Sequence, residues 1–195
     1  MKLNYIRTFP VYLCFLGSKQ RKLIEMDMDH WMKVLQLDSM RPLARLNYLL
    51  SDRPEFRNLL LHRFWNPTRT AKGKIHALIT RFFWKPVATL YICTREIGGG
   101  LFIQHGFATM ISAKRIGENC WINQQVTIGY KGDNNPVIED NVKILCGAKV
   151  LGNVTMHSNS VAGANAVVVK DVPENAVVGG VPAHIIKFNG TETKE

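Results

Sequence analysis

The sequence predicts an α+β chain in two parts: an α-helical N-terminal domain over residues 1–88 and a parallel β-helix over residues 89–190, followed by a short tail, 191–195. Three observations carry this. Charge is unevenly divided, with 17 Lys+Arg against 7 Asp+Glu in residues 1–96 and 8 of each in residues 97–195. Apolar residues in the first half recur at three- and four-residue spacing. In the second half they recur every six residues, a period that no helix matches.

The helical part begins with an apolar run, Phe9 to Gly17, interrupted by Pro10 and followed by Lys19, Arg21 and Lys22. No small-residue cleavage pattern follows it, so it reads as a buried or interfacial helix. Leu23, Met26, His30, Val34 and Leu37 mark the apolar side of a second helix. Ser51-Asp52 before Pro54-Glu55 signals a new start, with proline and an acid in the first turn, and Phe56, Leu59, Leu60 and Phe64 then share a face. From Asn66 to Pro86, Lys72, Lys74, Arg81 and Lys85 alternate with Ile75, Leu78, Ile79, Phe82, Phe83 and Trp84. Such a helix either packs its apolar face on the protein or lies on an anionic membrane surface.

In the second part the anchors are Ile97 and Ile103, then Ile116, Ile122 and Ile128, then Ile138, Ile144, Val150, Met156, Ala162 and Val168. Four residues after most of them stands another small or apolar residue: Leu101, Phe107, Cys120, Val126, Val142, Ala148, Val154, Ala166 and Val172. Gly, Asn and Asp fill many of the remaining positions and tolerate the positive φ of tight corners. Three six-residue faces close one coil, and stacked coils bury an apolar column. The period breaks twice. Seven residues separate Ile103 from Met110, beside His105, and ten separate Ile128 from Ile138, which predicts a loop at GYKGDNNPV.

The six-residue repeat, the segment GGGLFIQHG, the run VTIG before a loop, ILCGAKVLGNV and the ending DVPENAVVGGVPAHIIK resemble the hexapeptide-repeat acyltransferases, and among them the serine acetyltransferase family. The segment PEFRNLL is similar to relatives that serve surface-polysaccharide synthesis. The resemblance implies a left-handed β-helix, a homotrimer or a dimer of trimers, and acetyl-CoA as the acetyl donor. It implies no permanently bound cofactor.

The resemblance makes His105 the catalytic base. An imidazole, with its pKa near ~6.5, suits removal of a proton from a hydroxyl near neutral pH. Gln104 stands where the family has aspartate, Leu90 where it has an orienting aspartate, and Asn134-Asn135 where it has an Arg-His pair before the proline. A backbone carbonyl or Tyr91 is then left to orient His105. Gln104, Asn134 and Asn135 are candidate acceptor-binding residues. They offer neutral donors and acceptors, which suit sugar hydroxyls better than a zwitterion. The expected reaction is therefore acetylation of a carbohydrate in capsule, exopolysaccharide or O-antigen synthesis. Its rivals are serine O-acetylation with an altered acceptor pocket and a non-catalytic scaffold. Gly129, Tyr130, Cys146, Gly147, Ala164, Lys170 and Lys187 are the positions expected to meet acetyl-CoA.

Cys14, Cys93, Cys120 and Cys146 show neither C-x-x-C pairing nor zinc-finger spacing, so no metal site is expected and a reducing cytoplasm is the natural compartment. The basic first half suggests peripheral contact with the inner face of the membrane. It lacks a recognition-helix or stacking motif, so a nucleic-acid partner is not expected.

Overall fold

The computed structural model describes residues 2–37, 40–65 and 70–192. The chain divides into two compact units, Met1–Ala88 and Thr89–Glu195. Asn66 to Arg69, the start of the basic stretch, and the tail residues 193–195 lie outside the described residues.

The first unit holds five helices: α1 (Lys2–Leu16), α2 (Arg21–Val34), α3 (Pro42–Asp52), α4 (Pro54–Trp65) and α5 (Ala71–Phe83). Helix α1 runs through Pro10. The α4 start is as expected, with Pro54 first and Glu55 in the opening turn. Phe56, Leu59, Leu60 and Phe64 are all at most 2% exposed. The PEFRNLL segment thus supplies core side chains, and packing accounts for its apolar pattern.

Helix α2 turns differently from its apolar spacing. Its buried residues are Ile24, Asp27, Met28, Trp31 and Met32, not Leu23, Met26 and His30. The cause is an ion pair. Arg63 on α4 grips both carboxylate oxygens of Asp27, Nε to Oδ2 at 2.7 Å and Nη2 to Oδ1 at 2.9 Å, with both side chains 1% exposed. A bidentate pair satisfies the charges that burial would otherwise penalise. Helix α5 also departs from the packing alternative: it buries Gly73, His76 and Thr80 and turns Ile75, Leu78 and Phe82 outward.

The second unit is a left-handed parallel β-helix of about five turns. Its coils are built from β1 (Leu90–Ile92), β2 (Glu96–Ile97) and β3 (Phe102–Ile103); β4 (Thr109–Ile111), β5 (Arg115–Ile116) and β6 (Trp121–Ile122); β7 (Thr127–Gly129), β8 (Val137–Ile138) and β9 (Lys143–Ile144); β10 (Lys149–Leu151), β11 (Thr155–Met156) and β12 (Val161–Ala162); and β13 (Val167–Val168) with β14 (Ala176–Gly179). They stack as three parallel walls: β1-β4-β7-β10-β13, β2-β5-β8-β11 and β3-β6-β9-β12-β14. Two antiparallel strands, β15 (His184–Phe188) and β16 (Thr191–Glu192), extend the third wall beyond β14.

Strands of two or three residues are not stable singly. Their stability comes from the column behind them: Ile116, Ile122, Ile128, Ile138, Ile144, Val150, Met156, Ala162 and Val168 are at most 3% exposed. Full burial of an Ile or Val contributes about 1.5–3 kcal/mol. The corners use left-handed residues in register. Gly100, Asn119, Asn141, Asn159 and Asn175 occupy one corner with φ between 54° and 82°. Asparagine is the non-glycine residue best suited to that region, because its short amide bonds locally.

Between β3 and β4 the coil departs from the expected register. The buried anchor after Ile103 is Ile111, at 0% exposure, whereas Met110 is 42% exposed and points outward. Phe107, expected inside, is 54% exposed, and Thr109 takes the inward position at 1%. The turn after β6 shows why. Ile122 and Ile128 are six residues apart, Ile103 and Ile111 eight, so two extra residues are expelled beside His105.

Candidate active site

His105 lies in this enlarged turn with φ of +51°, and Ala108 three residues on has the same φ. A non-glycine residue in this region is held there by its surroundings. The constraints are local. Gln104 N–H donates to the Ile122 carbonyl at 2.9 Å, Phe107 N–H donates to the His105 carbonyl at 2.6 Å, and the Phe107 carbonyl accepts from Gln125 N–H at 3.0 Å. The Thr109 hydroxyl donates to the same Phe107 carbonyl at 3.1 Å. The backbone is thereby pinned while the His105 side chain stays exposed. Among the described residues the imidazole has no hydrogen-bond partner. Neither of the expected orienting positions reaches it: Leu90 is a core residue, 4% exposed, and Tyr91 faces outward at 56%.

The β3–β6 register sets Gln104 over Asn123, and after the expelled residues the next coil rejoins where Gln125 N–H donates to the Phe107 carbonyl. The side-chain oxygen of Gln124 is enclosed and has no hydrogen-bond partner among the described residues. A buried carbonyl without a partner is a polar group open to a ligand or a partner chain. The sequence reading missed Gln124. The available signal was its place in NQQVTI, one coil after QHG.

Cys146, Gly147 and Ala164 occupy the same corner one and two coils further on. Gly147 N–H donates to the Gln124 carbonyl at 3.0 Å, and Asn165 N–H donates to the Cys146 carbonyl at 2.9 Å. Gly147 suits the corner by its φ of +73°, and a Cβ there would have to displace the end of the Asn165 side chain. Lys149, also missed, places its ammonium at this corner, donating to the Gln125 and Gly147 carbonyls at 2.6 and 3.1 Å.

The remaining predicted residues lie elsewhere. Gly129 closes β7 and Tyr130, 67% exposed, opens the loop at the next corner. There Lys131 N–H donates to the Asn134 carbonyl at 3.1 Å, and the Asn135 amide donates to the Ser112 carbonyl at 2.8 Å. Lys170 is exposed beyond β13, and Lys187 lies on β15. Within one chain, therefore, the strand β4 or β7 separates the His105 corner from the loop corner. The groups of the imidazole and of Asn134-Asn135 are not brought together.

Burial pushes the Cys120 thiol up to about 12, and burial also raises the Cys14 thiol. All four cysteines are free. Among the described residues, no three His, Cys, Asp or Glu side chains are grouped to hold a metal ion.

The chain has the left-handed β-helix fold of the hexapeptide-repeat acyltransferases, with the exposed His105 at its expanded corner. Its relatives are serine acetyltransferases. That of Staphylococcus xylosus is 39% identical over 142 residues, 68% of this chain and 62% of that protein. A serine acetyltransferase of Neisseria gonorrhoeae, solved in complex with serine, superposes with a TM-score of 0.62 at 27% identity, over 90% of this chain and 73% of that one. Another serine acetyltransferase, solved in complex with CoA, gives a TM-score of 0.65 at 22% identity over 94% and 83%, a likeness of fold alone. No family model matches the chain. The chain spans less than two thirds of the length of the curated relatives it matches.

These relatives overturn the expectation of a carbohydrate acceptor and favour serine. The structure supplies the reason the inference failed. It rested on neutral amides in the loop, but the Asn135 amide is spent tying that loop to Ser112. The Asn134 carbonyl closes the loop's own turn. The Asn135 amide shapes the loop, so its neutrality does not report the charge of the acceptor.

Proposed function

We propose that the chain transfers an acetyl group from acetyl-CoA to the hydroxyl of L-serine, with His105 as general base. The observation that carries this reading is the exposed, hydrogen-bond-free imidazole of His105 on a pinned, left-handed backbone, in a chain whose relatives are serine acetyltransferases. The imidazole takes the proton from the serine hydroxyl as its oxygen attacks the thioester carbonyl. The tetrahedral intermediate collapses with cleavage of the C–S bond. The imidazolium returns the proton to the departing thiolate, giving O-acetylserine and CoA thiol. Positioned donors stabilise the oxyanion in such a reaction.

Cys146, Gly147 and Ala164 line a column that descends from His105 at about 4.8 Å per coil, and their small side chains leave backbone open to a pantetheine arm. The other positions expected to meet acetyl-CoA, Gly129, Tyr130, Lys170 and Lys187, fall on other corners. The separation of His105 from the loop residues Gln104 does not bridge supports assembly as a homotrimer, in which a neighbour's loop corner meets this chain's His105 corner. The four free thiols suit a reducing cytoplasm, and no helix among the described residues is long and apolar enough to cross a membrane.

The test is thiol release from acetyl-CoA with and without L-serine, with the product identified by mass spectrometry. Serine-dependent release and a product heavier by one acetyl group are expected. Thioester consumption indifferent to serine refutes the assignment.

A further inference from the structure

We propose that the outer face of α1 and α5 is a docking surface for a bilayer that contains anionic lipid. Helix α1 exposes Ile6 (68%), Phe9 (52%), Leu13 (54%) and Leu16 (39%), and α5 exposes Ile75 (55%), Leu78 (58%) and Phe82 (82%). The spacings of three and four residues put each set on one helical face. The two helices run antiparallel: Arg7 near the start of α1 donates to the Phe83 carbonyl at the end of α5, and Gly17 just beyond α1 lies against Lys72 at the start of α5. At 100° per residue, both stripes flank the outer side of this shared seam. Together they expose on the order of 800 Å² of apolar surface, above the few hundred that a soluble monomer usually shows.

Charge identifies the occupant. Neither α1 nor α5 contains an aspartate or glutamate, while Lys72, Lys74, Arg81 and Lys85 are exposed on or beside α5. A second copy laid on this face would meet the lysines of α5 with lysines and find no carboxylate on α1 or α5 to pair. An apolar strip whose own helices carry only cations is complementary to an anionic lipid surface. A cleft of about 290 Å³ adjoins the strip at the end of α1, lined by Ser18, Lys19, Thr70, Lys72, Gly73 and His76 among others. Lys19 and Lys72 both line it, beside a His76 that is 9% exposed. Two ammonium groups suit a lipid phosphate.

This surface stands independently of the acetyl-transfer reading, and one experiment separates them. The full chain is sedimented with vesicles of phosphatidylcholine alone and of phosphatidylcholine with one third phosphatidylglycerol. Binding to the mixed vesicles only is expected, with a loss of at least tenfold in L78E/F82E and in K72E/K74E. Acetyl transfer in vesicle-free solution is unchanged in all of them, and analytical ultracentrifugation gives one particle mass. Binding that ignores phosphatidylglycerol, or variants that bind like the parent, overturns the proposal. So does a lower particle mass in L78E/F82E, which would assign the face to a second copy. Thermal stabilisation by inorganic phosphate without vesicle binding overturns it too, leaving only a free-anion site.

Discussion

Replacing His105 by asparagine separates its chemistry from its fold more cleanly than alanine does. His105 has φ of +51°, is exposed, and its side chain makes no hydrogen bond among the described residues. Asparagine tolerates this backbone region, whereas alanine adds left-handed strain of roughly 1–2 kcal/mol. With no contact to lose and no strain to add, His105→Asn changes folding stability by about 0.5 kcal/mol or less, as for ordinary surface substitutions. The catalytic consequence is far larger. A positioned general base contributes typically 10²–10⁴-fold, so the barrier rises by about 2.7–5.5 kcal/mol at roughly 1.36 kcal/mol per decade. The assay pairs thermal unfolding by circular dichroism with steady-state thiol release from acetyl-CoA in the presence of L-serine. An unmoved melting curve with at least a hundredfold loss of kcat is expected. Retention of a tenth of the parental rate refutes the role of the imidazole. A large fall in melting temperature refutes the claim that its side chain is free of structural work.

Three further outcomes follow from buried groups. Asp27→Ala leaves the Arg63 guanidinium buried without a counter-charge and lowers stability by about 3–5 kcal/mol, while the paired replacement Asp27→Leu/Arg63→Met recovers most of it; denaturant titration decides, and an equal loss in both variants contradicts the account. The pKa of His76 is lowered by burial and then by Lys72, so below about pH 6.5 the unfolded chain binds its proton first. Stability is thus lost as pH falls through that range, and His76→Gln flattens the slope in melts recorded across it. A thiol reagent at about pH 8 labels the exposed Cys93 in the native protein, whereas buried Cys120, with its thiol pushed up to about 12, reacts only after unfolding. Rapid native labelling of Cys120 speaks against its burial.

Serine acetyltransferase relatives span beyond this chain, yet the chain holds both the helical unit and the coil. The six-residue period was legible because a β-helix repeats one physical requirement, an inward apolar side chain, at every face. The left-handed corners were legible for the same reason: asparagine and glycine recur wherever φ turns positive. His105 stood out because it interrupts that period. The substrate was not legible. Amides at Asn134 and Asn135 look like recognition groups in sequence, and only the fold shows the Asn135 amide spent on Ser112.

The sequence by itself determined the class of fold, since periodicity dictates which side chains face inward, and it marked the one turn where the repeat yields. Tertiary structure decided what periodicity cannot encode. It turned α2 to bury Asp27, because Arg63 arrives from another helix to pair with it. It set Ile111 rather than Met110 in the core, because two residues leave the coil at His105. Each of these depends on contacts between residues distant in sequence, and a local pattern carries no record of which distant partner will come.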